Sequence, residues 1–228
     1  MNRQEFNITG PRKVFAVLGP YRGGTSLVTG ILEAFEVFVG DDFFNAETGY
    51  CTYEDTRLRL TCLACFDERE GHWYYRKPPP QRVALLQTWH HWAAARAETL
   101  GRRAFGGKHP LLCKLIQEIS LACNTTSVEN IVFVSVNRPV DDVHRSWIRR
   151  TPQSPTSWWP RRDRRQVIDD LVQSRDNSLR GRPHIQIEFN DLIADPASTL
   201  EKFADQCGLP SHRIPDAIQR IRERKSKS

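Results

Sequence analysis

The residues from Gly19 to Ser26 form a glycine-rich segment whose types and spacing could bind an anion. The segment Gly19-Pro20-Tyr21-Arg22-Gly23-Gly24-Thr25-Ser26 follows the apolar run Val14–Leu18 and precedes apolar residues at a 3.6-residue spacing. This pattern predicts a strand, a tight loop and a helix in direct succession. Several backbone N–H groups and the positive end of a helix dipole would then converge on one small volume. Binding of a phosphate or a sulfate is the expected chemistry.

The spacing from Gly19 to Gly24 matches that of the Walker A loop, G-x-x-x-x-G-K-[ST], but one key residue differs. Thr25 occupies the lysine position, and Ser26 occupies the Ser/Thr position. In nucleoside triphosphatases that lysine neutralises the β- and γ-phosphates. Here the loop's own cation is Arg22, at its tip. The segment therefore suits a phosphate-like group better than a γ-phosphate.

This loop resembles the 5′-phosphosulfate loop of the sulfotransferases that use 3′-phosphoadenosine 5′-phosphosulfate (PAPS). In that family a Lys or Arg precedes a Ser/Gly-Gly-Thr-Thr/Ser run, as Arg22 does in Tyr21-Arg22-Gly23-Gly24-Thr25-Ser26-Leu27. From the residues alone, an ordinary tight turn before a helix is the alternative. The resemblance implies a set of residues that bind the 5′-phosphosulfate: Arg22, Gly23, Gly24, Thr25, Ser26 and Leu27.

A second anion-binding motif is predicted directly after Asn130–Asn137, the most continuously apolar strand of the chain. Arg138 would end that strand, Pro139 suits the first position of a helix, and Ser146 follows on the same helix. An arginine and a hydroxyl so placed could clamp an anion, although a surface arginine and a half-buried serine are the alternative. The pattern Asn137-Arg138-Pro139-x-Asp141-x-x-x-x-Ser146 resembles the sulfotransferase motif whose Arg and Ser hold the 3′-phosphate of PAPS.

A third match lies near the C-terminal end of the sequence. The pattern predicts a strand over His184–Phe189 and, after Asn190–Ala194, a helix from Pro196 to Cys207 with Asp195 as its N-cap. This stretch resembles the family's E-[DN]-L-x-x-D-P…L…G-L-P segment, and its implied role is architectural. In all, the resemblance extends from Val14 to about Pro210.

The catalytic residues are implied by the resemblance rather than by a motif of their own. Lys108 and His109 follow a short predicted strand, Ala104–Lys108, and would share an edge with the glycine loop if the strands are parallel. His109 matches the catalytic histidine of cytosolic-type sulfotransferases, and imidazole suits deprotonation of a hydroxyl. Other branches use a Glu after the first helix, which favours Glu54, with Asp42 as the next alternative. Of these three we expect His109 to be the base. The expected catalytic set is His109, Lys108, Arg22 and Glu54.

Two other classes of function stay open from the residues. One is a P-loop kinase or NTPase, which shares the strand–loop–helix start but needs a lysine at Thr25. The other is a nucleic-acid binder that would use the Arg- and Trp-rich stretch 145–165. That stretch could equally be a solvated basic loop or a surface near the sulfotransferase's ligands.

Composition and length suit one domain spanning 1–228. Lys+Arg 33 against Asp+Glu 27 gives a formal charge of +6, which favours an anionic ligand more than nucleic acid. No run is long and apolar enough for a membrane span, and the N-terminal residues lack the apolar core of a signal peptide. We therefore expect a cytoplasmic protein with six reduced cysteines. No metal is expected, even at the C-x-x-C of Cys62 and Cys65.

The elements that must position these residues alternate between strands and helices. They predict an α/β protein with three αβα layers, a central, mostly parallel sheet and a P-loop-like loop. The resemblance implies that this loop is a 5′-phosphosulfate loop. The resemblance further implies PAPS as co-substrate and a hydroxyl acceptor that is a small molecule, a glycan or a peptide; the acceptor's identity and the oligomeric state stay open. Further predicted elements are a loop over Asn45–Tyr53, helices over Arg57–Phe66, Arg82–Leu100 and Leu111–Cys123, and a Pro-rich connector over Glu70–Gln81.

Overall fold

The structure is a computed structural model that describes residues 12–46, 50–69, 72–124, 129–150 and 163–226. Within those ranges the strands are β1 Arg12–Leu18, β2 Phe43–Ala46, β3 Tyr50–Asp55, β4 Phe66–Arg69, β5 His72–Tyr75, β6 Ala104–Lys108, β7 Glu129–Asn137 and β8 Ile185–Glu188. The α-helices are α1 Thr25–Ala34, α2 Thr56–Ala64, α3 Pro79–Thr99, α4 Ile116–Cys123, α5 Val140–Arg150, α6 Arg164–Leu179, α7 Phe189–Ala194, α8 Pro196–Cys207 and α9 Ile214–Ser226. Short 3-10 helices span Pro110–Lys114 and Ser211–Arg213.

The central sheet has four parallel strands in the order β6-β1-β7-β8. Its register places Val17 of β1 beside Lys108 of β6, and Leu18 beside Ser135 of β7. Because parallel strands end on the same side, the segments that follow β1, β6, β7 and β8 lie along one edge of the sheet. This edge carries the candidate site.

The side chains of strand β1 point alternately to the two faces of the sheet and pack into both cores. Val14, Ala16 and Leu18 pack into one core with α3, α4 and α6, among other elements. Phe15 and Val17 pack into the opposite core with α1, α8 and α9. Helices thus cover both faces, and the predicted three-layer α/β fold is confirmed.

Two hairpins replace stretches that the sequence pattern predicts to be irregular. The predicted loop Asn45–Tyr53 lies largely in the antiparallel pair β2–β3, and the predicted connector Glu70–Gln81 contributes β5, which pairs with β4. Aromatic contacts explain both pairings: Phe43 and Tyr53 have ring centroids 5.2 Å apart, and Phe66 stacks on Tyr75 at 5.0 Å. The loop and connector predictions are wrong because cross-strand packing outweighs local turn signals.

Other differences concern helices. The pattern does not predict α6, which begins after the N-cap Asp163. Phe189, predicted to end a strand, instead begins α7. The predicted helix Leu111–Cys123 is divided into the 3-10 helix Pro110–Lys114 and α4.

None of the described helices combines the length and apolar composition that crossing a bilayer requires.

The predicted helix after Asp195 is confirmed with its caps. The Asp195 carboxylate accepts a hydrogen bond from the Ser198 N–H at 3.3 Å, and α8 ends at Gly208 in the left-handed region, with φ 57°. Lys13 of β1 donates to the carbonyl of Cys207 at 2.5 Å. A cation at this position complements the helix C-terminus, so α8 is anchored to the first strand.

Candidate anion-binding and catalytic site

The glycine loop connects β1 directly to α1. The Gly23 N–H donates to the carbonyl of Pro20 at 3.0 Å, and Arg22 adopts a left-handed conformation with φ 63°. Helix α1 then begins at Thr25, so its N-terminus adjoins the loop, and the Leu27 and Val28 N–H groups donate to the Gly24 carbonyl at 2.9 and 3.3 Å. The loop has the geometry that binds a phosphate or sulfate.

Gly24 has no room for a side chain. Its φ is 97°, and a Cβ built there would overlap Cδ2 of Phe189. Phe189 begins α7, directly after β8, and its ring also lies under the Arg138 guanidinium, with 4.5 Å between the guanidinium carbon and the ring centroid. Phe189 therefore contacts both predicted anion-binding segments. The sequence pattern predicts only that Phe189 ends a strand, and it does not indicate these contacts. Its position after a strand at the ligand edge of the sheet is the signal that could have indicated it.

Arg138 lies against the glycine loop itself. Its Nη1 donates to the carbonyl of Arg22 at 3.1 Å. The two predicted anion-binding arginines, 116 residues apart in sequence, therefore share one edge of the sheet. A guanidinium held against the backbone of a loop at a helix N-terminus can add a second positive group for a ligand that carries more than one anionic group.

Ser146 lies half-buried near the middle of α5, about two turns after Arg138. The next residue, Trp147, packs against Tyr21 of the glycine loop, with 5.4 Å between ring centroids. This contact docks α5 onto the loop, so Ser146 belongs to an element of the candidate site. Its part in binding a 3′-phosphate stays a prediction.

Lys108 and Glu54 form a buried ion pair. Nζ of Lys108 lies 2.7 Å from Oε1 of Glu54, and their side chains are 4% and 12% exposed. Burial on its own would raise the pKa of Glu54, but the charge of the neighbouring Lys108 and the hydrogen bond from its Nζ lower it below its usual value. The Glu54 carboxylate is therefore ionised at neutral pH.

His109 is buried beside this pair. Burial lowers the pKa of His109 to about 4, against the opposing charge of Glu54. Its Nδ1 accepts a hydrogen bond from the Leu111 N–H at 3.3 Å, which caps the 3-10 helix Pro110–Lys114. A neutral imidazole that accepts at Nδ1 carries its proton on Nε2. In this arrangement His109 is an uncharged hydrogen-bond donor.

The ion pair and the glycine loop lie at the same edge of the sheet. Lys108 ends β6 in register with Val17, two residues before Gly19. Glu54 comes from β3, whose last residue, Asp55, caps α2 by accepting from the Leu58 N–H at 2.9 Å. The sheet and the β2–β3 hairpin thus bring the predicted catalytic residues towards the predicted anion-binding loop.

Other candidates have different surroundings. Asp42 is exposed, and its carbonyl accepts from the Thr56 N–H at 2.8 Å.

Within the described ranges, no group of three or more His, Cys, Asp or Glu side chains could hold a metal ion. Cys62 and Cys65 are buried free thiols, and burial raises the pKa of Cys65 to about 11. A thiol with so high a pKa stays protonated at neutral pH.

The Arg- and Trp-rich stretch 145–165 lies mainly outside the described residues, since the structure does not describe 151–162. At its described ends, Arg145 pairs with Asp142, and Arg165 pairs with Asp141 at 2.7 Å. These two arginines thus face carboxylates of α5.

The chain has the fold of sulfotransferase domains. It is similar to the sulfotransferase domain from the curacin biosynthetic pathway, with a TM-score of 0.54 and 16% identity over 89% of this chain and 76% of that one. It is also similar to the sulfotransferase domain from the Synechococcus PCC 7002 olefin synthase, with a TM-score of 0.52 and 12% identity over 94% and 80% of the two chains. The sequence matches no protein-family model and no curated protein. The fold implied by the sequence resemblance is confirmed.

Proposed function

We propose that this protein is a sulfotransferase that transfers the sulfuryl group of PAPS to a hydroxyl group of an acceptor. The observation that carries the proposal is the hydrogen bond from Arg138 to the Arg22 carbonyl, 3.1 Å long. It joins two anion-binding segments at one edge of a parallel sheet, where α/β proteins bind their ligands. The sulfotransferase fold of the chain supports the same conclusion.

The residues at this edge fit the donor. The glycine loop and the N-terminus of α1 would hold the 5′-phosphosulfate through Arg22, Gly23, Gly24, Thr25, Ser26 and Leu27. Gly24 has no room for a Cβ because Phe189 packs against it, so the conformation of the loop depends on a glycine at this position. Arg138 and Ser146 would hold the 3′-phosphate. PAPS would supply the sulfuryl group and leave as adenosine 3′,5′-bisphosphate.

The positive groups of the loop stabilise the charge that develops during transfer. As the S–O bond breaks, negative charge builds on the 5′-phosphate of the leaving group. Arg22 and the first N–H groups of α1 face that charge and stabilise the transition state electrostatically. Arg138 holds the far end of the nucleotide and so orients the reacting bond.

Glu54 is the better placed of the two main candidates for the base. His109 carries its proton on Nε2 while Nδ1 accepts from Leu111, so its ring donates rather than accepts at the free nitrogen. Glu54 is ionised because Lys108 offsets the effect of burial. When Lys108 turns to an incoming sulfonate, burial raises the pKa of Glu54, and the carboxylate becomes a stronger base for the acceptor hydroxyl.

A P-loop kinase or NTPase is the alternative function, and the geometry does not favour it. Thr25, at the Walker A lysine position, is buried at 4% exposure and is the first residue of α1. The loop therefore has no lysine to neutralise a β/γ-phosphate.

Two measurements test the proposal. Incubation with ³⁵S-labelled PAPS and a panel of sugars, phenols and tyrosyl peptides should yield a sulfated product, identified by mass. Thermal unfolding should show a higher Tm with adenosine 3′,5′-bisphosphate than with ATP·Mg²⁺ at equal concentration, because a bound ligand stabilises the native state. Stabilisation by ATP·Mg²⁺ alone would instead identify a nucleoside triphosphate enzyme.

A further inference from the structure

Arg175 is a buried arginine that belongs to neither predicted anion-binding motif. It lies on α6 and is 4% exposed. Its Nε donates to Oδ1 of Asp176 at 2.8 Å, and its Nη1 donates to the carbonyl of Val136 at 2.8 Å. Burying a guanidinium costs free energy unless its hydrogen bonds are well made, so this pair of bonds stabilises one definite arrangement.

The carbonyl that Arg175 binds lies where the β1–β7 ladder ends. The last register partners of that ladder are Leu18 and Ser135, and Val136 is the next residue of β7. On the β1 side the chain continues as Gly19 and Pro20, and a proline has no N–H to donate. The Gly19 N–H is directed to the thiol of Cys113. Arg175 thus supplies a hydrogen bond at a place where the β1–β7 ladder does not continue, on the side of β7 that faces β1.

This carbonyl is in contact with the start of the glycine loop. A Cβ built on Gly19 would lie 3.3 Å from the Val136 oxygen. Two residues later, just after the end of β7, Arg138 donates to the carbonyl of Arg22. The hydrogen bond from Arg175 therefore lies at the point from which both anion-binding segments leave the sheet.

We propose that Arg175 is a positioning residue that holds the Arg138 segment in register with the glycine loop, and so sets how strongly a nucleotide's 3′-phosphate adds to binding. The proposal rests on the proposed function, in which the two segments bind the two ends of one donor. The loop is held separately by its own turn and by α1. Loss of Arg175 therefore affects a ligand that contacts both segments more than one that contacts the loop alone.

Isothermal titration calorimetry with two ligands tests this role. Adenosine 3′,5′-bisphosphate contacts both segments, whereas AMP lacks the 3′-phosphate. We expect Arg175→Met to weaken binding of the bisphosphate about tenfold, which is the size of one hydrogen bond to a charged group. Binding of AMP should weaken by less than about threefold. Arg175→Lys keeps the charge and a single donor nitrogen, and we expect it to recover part of the loss.

Arg82→Met is the matched control. Arg82 of α3 is also buried, donates to the backbone carbonyl of Lys77 at 2.6 Å and pairs with Glu118. These partners lie in the segment between β5 and α3 and in α4. We expect it to lower Tm without changing the ratio of the two dissociation constants. If Arg175→Met does not fold, Arg175→Lys is the deciding variant. A ratio of the Kd for AMP to the Kd for adenosine 3′,5′-bisphosphate about threefold below the wild-type ratio supports the proposal.

The outcomes separate the two proposals. An Arg175 variant that keeps the wild-type ratio, or that weakens both ligands equally, overturns the positioning role. A wild-type protein that binds adenosine 3′,5′-bisphosphate no better than AMP overturns the proposed function instead.

Discussion

The two halves of the candidate site are built differently. The proposed anion-binding half consists of a loop backbone and the two arginines Arg22 and Arg138, and its key contact is from a side chain to a backbone carbonyl. In the catalytic half, Glu54 and Lys108 neutralise each other in a buried pair, with the uncharged His109 beside them. The first half suits binding of a permanent charge, and the second suits moving a proton.

This difference predicts that the two halves respond to different changes. Removing a group from the anion-binding half should weaken binding of the nucleotide. Removing one from the catalytic half should slow turnover while binding survives. The following experiments test this separation, in order of expected effect.

Glu54→Gln should have the largest effect on turnover. It keeps the shape of the side chain but removes the base, so we expect kcat to fall roughly 10²- to 10⁴-fold, the usual contribution of general base catalysis. Calorimetry should show an unchanged Kd for adenosine 3′,5′-bisphosphate. Asp42→Asn is the control and should retain kcat.

His109→Ala separates the alternatives for the base. If His109 is a donor, as its hydrogen bond to Leu111 indicates, its loss should cost less turnover than Glu54→Gln. A larger fall for His109→Ala than for Glu54→Gln would return the role of base to the histidine.

Gly24→Ala should be the most destabilising change in the anion-binding half. Alanine at φ 97° is strained, and its Cβ would overlap Phe189. Together these effects should lower the free energy of unfolding by about 3 kcal/mol in urea titrations. Gly101→Ala is the matched control, because Gly101 also has a positive φ of 66° but no atom within 4 Å of its Cβ position, and its cost should be about 1 kcal/mol.

Arg138→Ala should weaken binding of PAPS without a comparable effect on adenosine 5′-phosphosulfate. Loss of charge-assisted hydrogen bonds to one phosphate should raise the Kd for PAPS roughly 10- to 100-fold and remove the preference between the two ligands. Arg165→Ala, which removes an exposed arginine paired with Asp141, should leave both affinities unchanged. Retained preference in Arg138→Ala would contradict the assignment of the 3′-phosphate site.

The burial of His109 predicts a pH dependence of stability. Its pKa falls from 6.5 to about 4 on folding, so below pH 6.5 the unfolded state binds the proton more readily than the folded state does. The stability that this neutral histidine contributes is complete above pH 6.5 and is lost as the pH falls towards 4. Between pH 7 and pH 5 this loss should be about 2 kcal/mol in urea titrations, and His109→Gln should lack that part of the slope. Equal slopes in the two proteins would show that His109 titrates normally.

Local sequence is sufficient for the parts of the molecule whose structure depends on neighbouring residues. The glycine loop, the apolar strand β7 and the helix between Asp195 and Gly208 are all predicted, because turn, strand and cap signals act over a few residues. The hairpins β2–β3 and β4–β5 are not, since their pairing depends on aromatic contacts such as that of Phe66 with Tyr75. Helix α6 is missed as well, and Arg175 with it.

For this protein, the sequence alone determined the three-layer α/β class and the identity of most candidate side chains, because hydrophobic periodicity and glycine spacing are local properties. Only the tertiary structure decided which of them meet. The Lys108–Glu54 pair joins residues 54 positions apart, and the contact of Arg138 with Arg22 spans 116. Such pairings depend on the order and register of the parallel strands, which bring distant strand ends to one edge of the sheet.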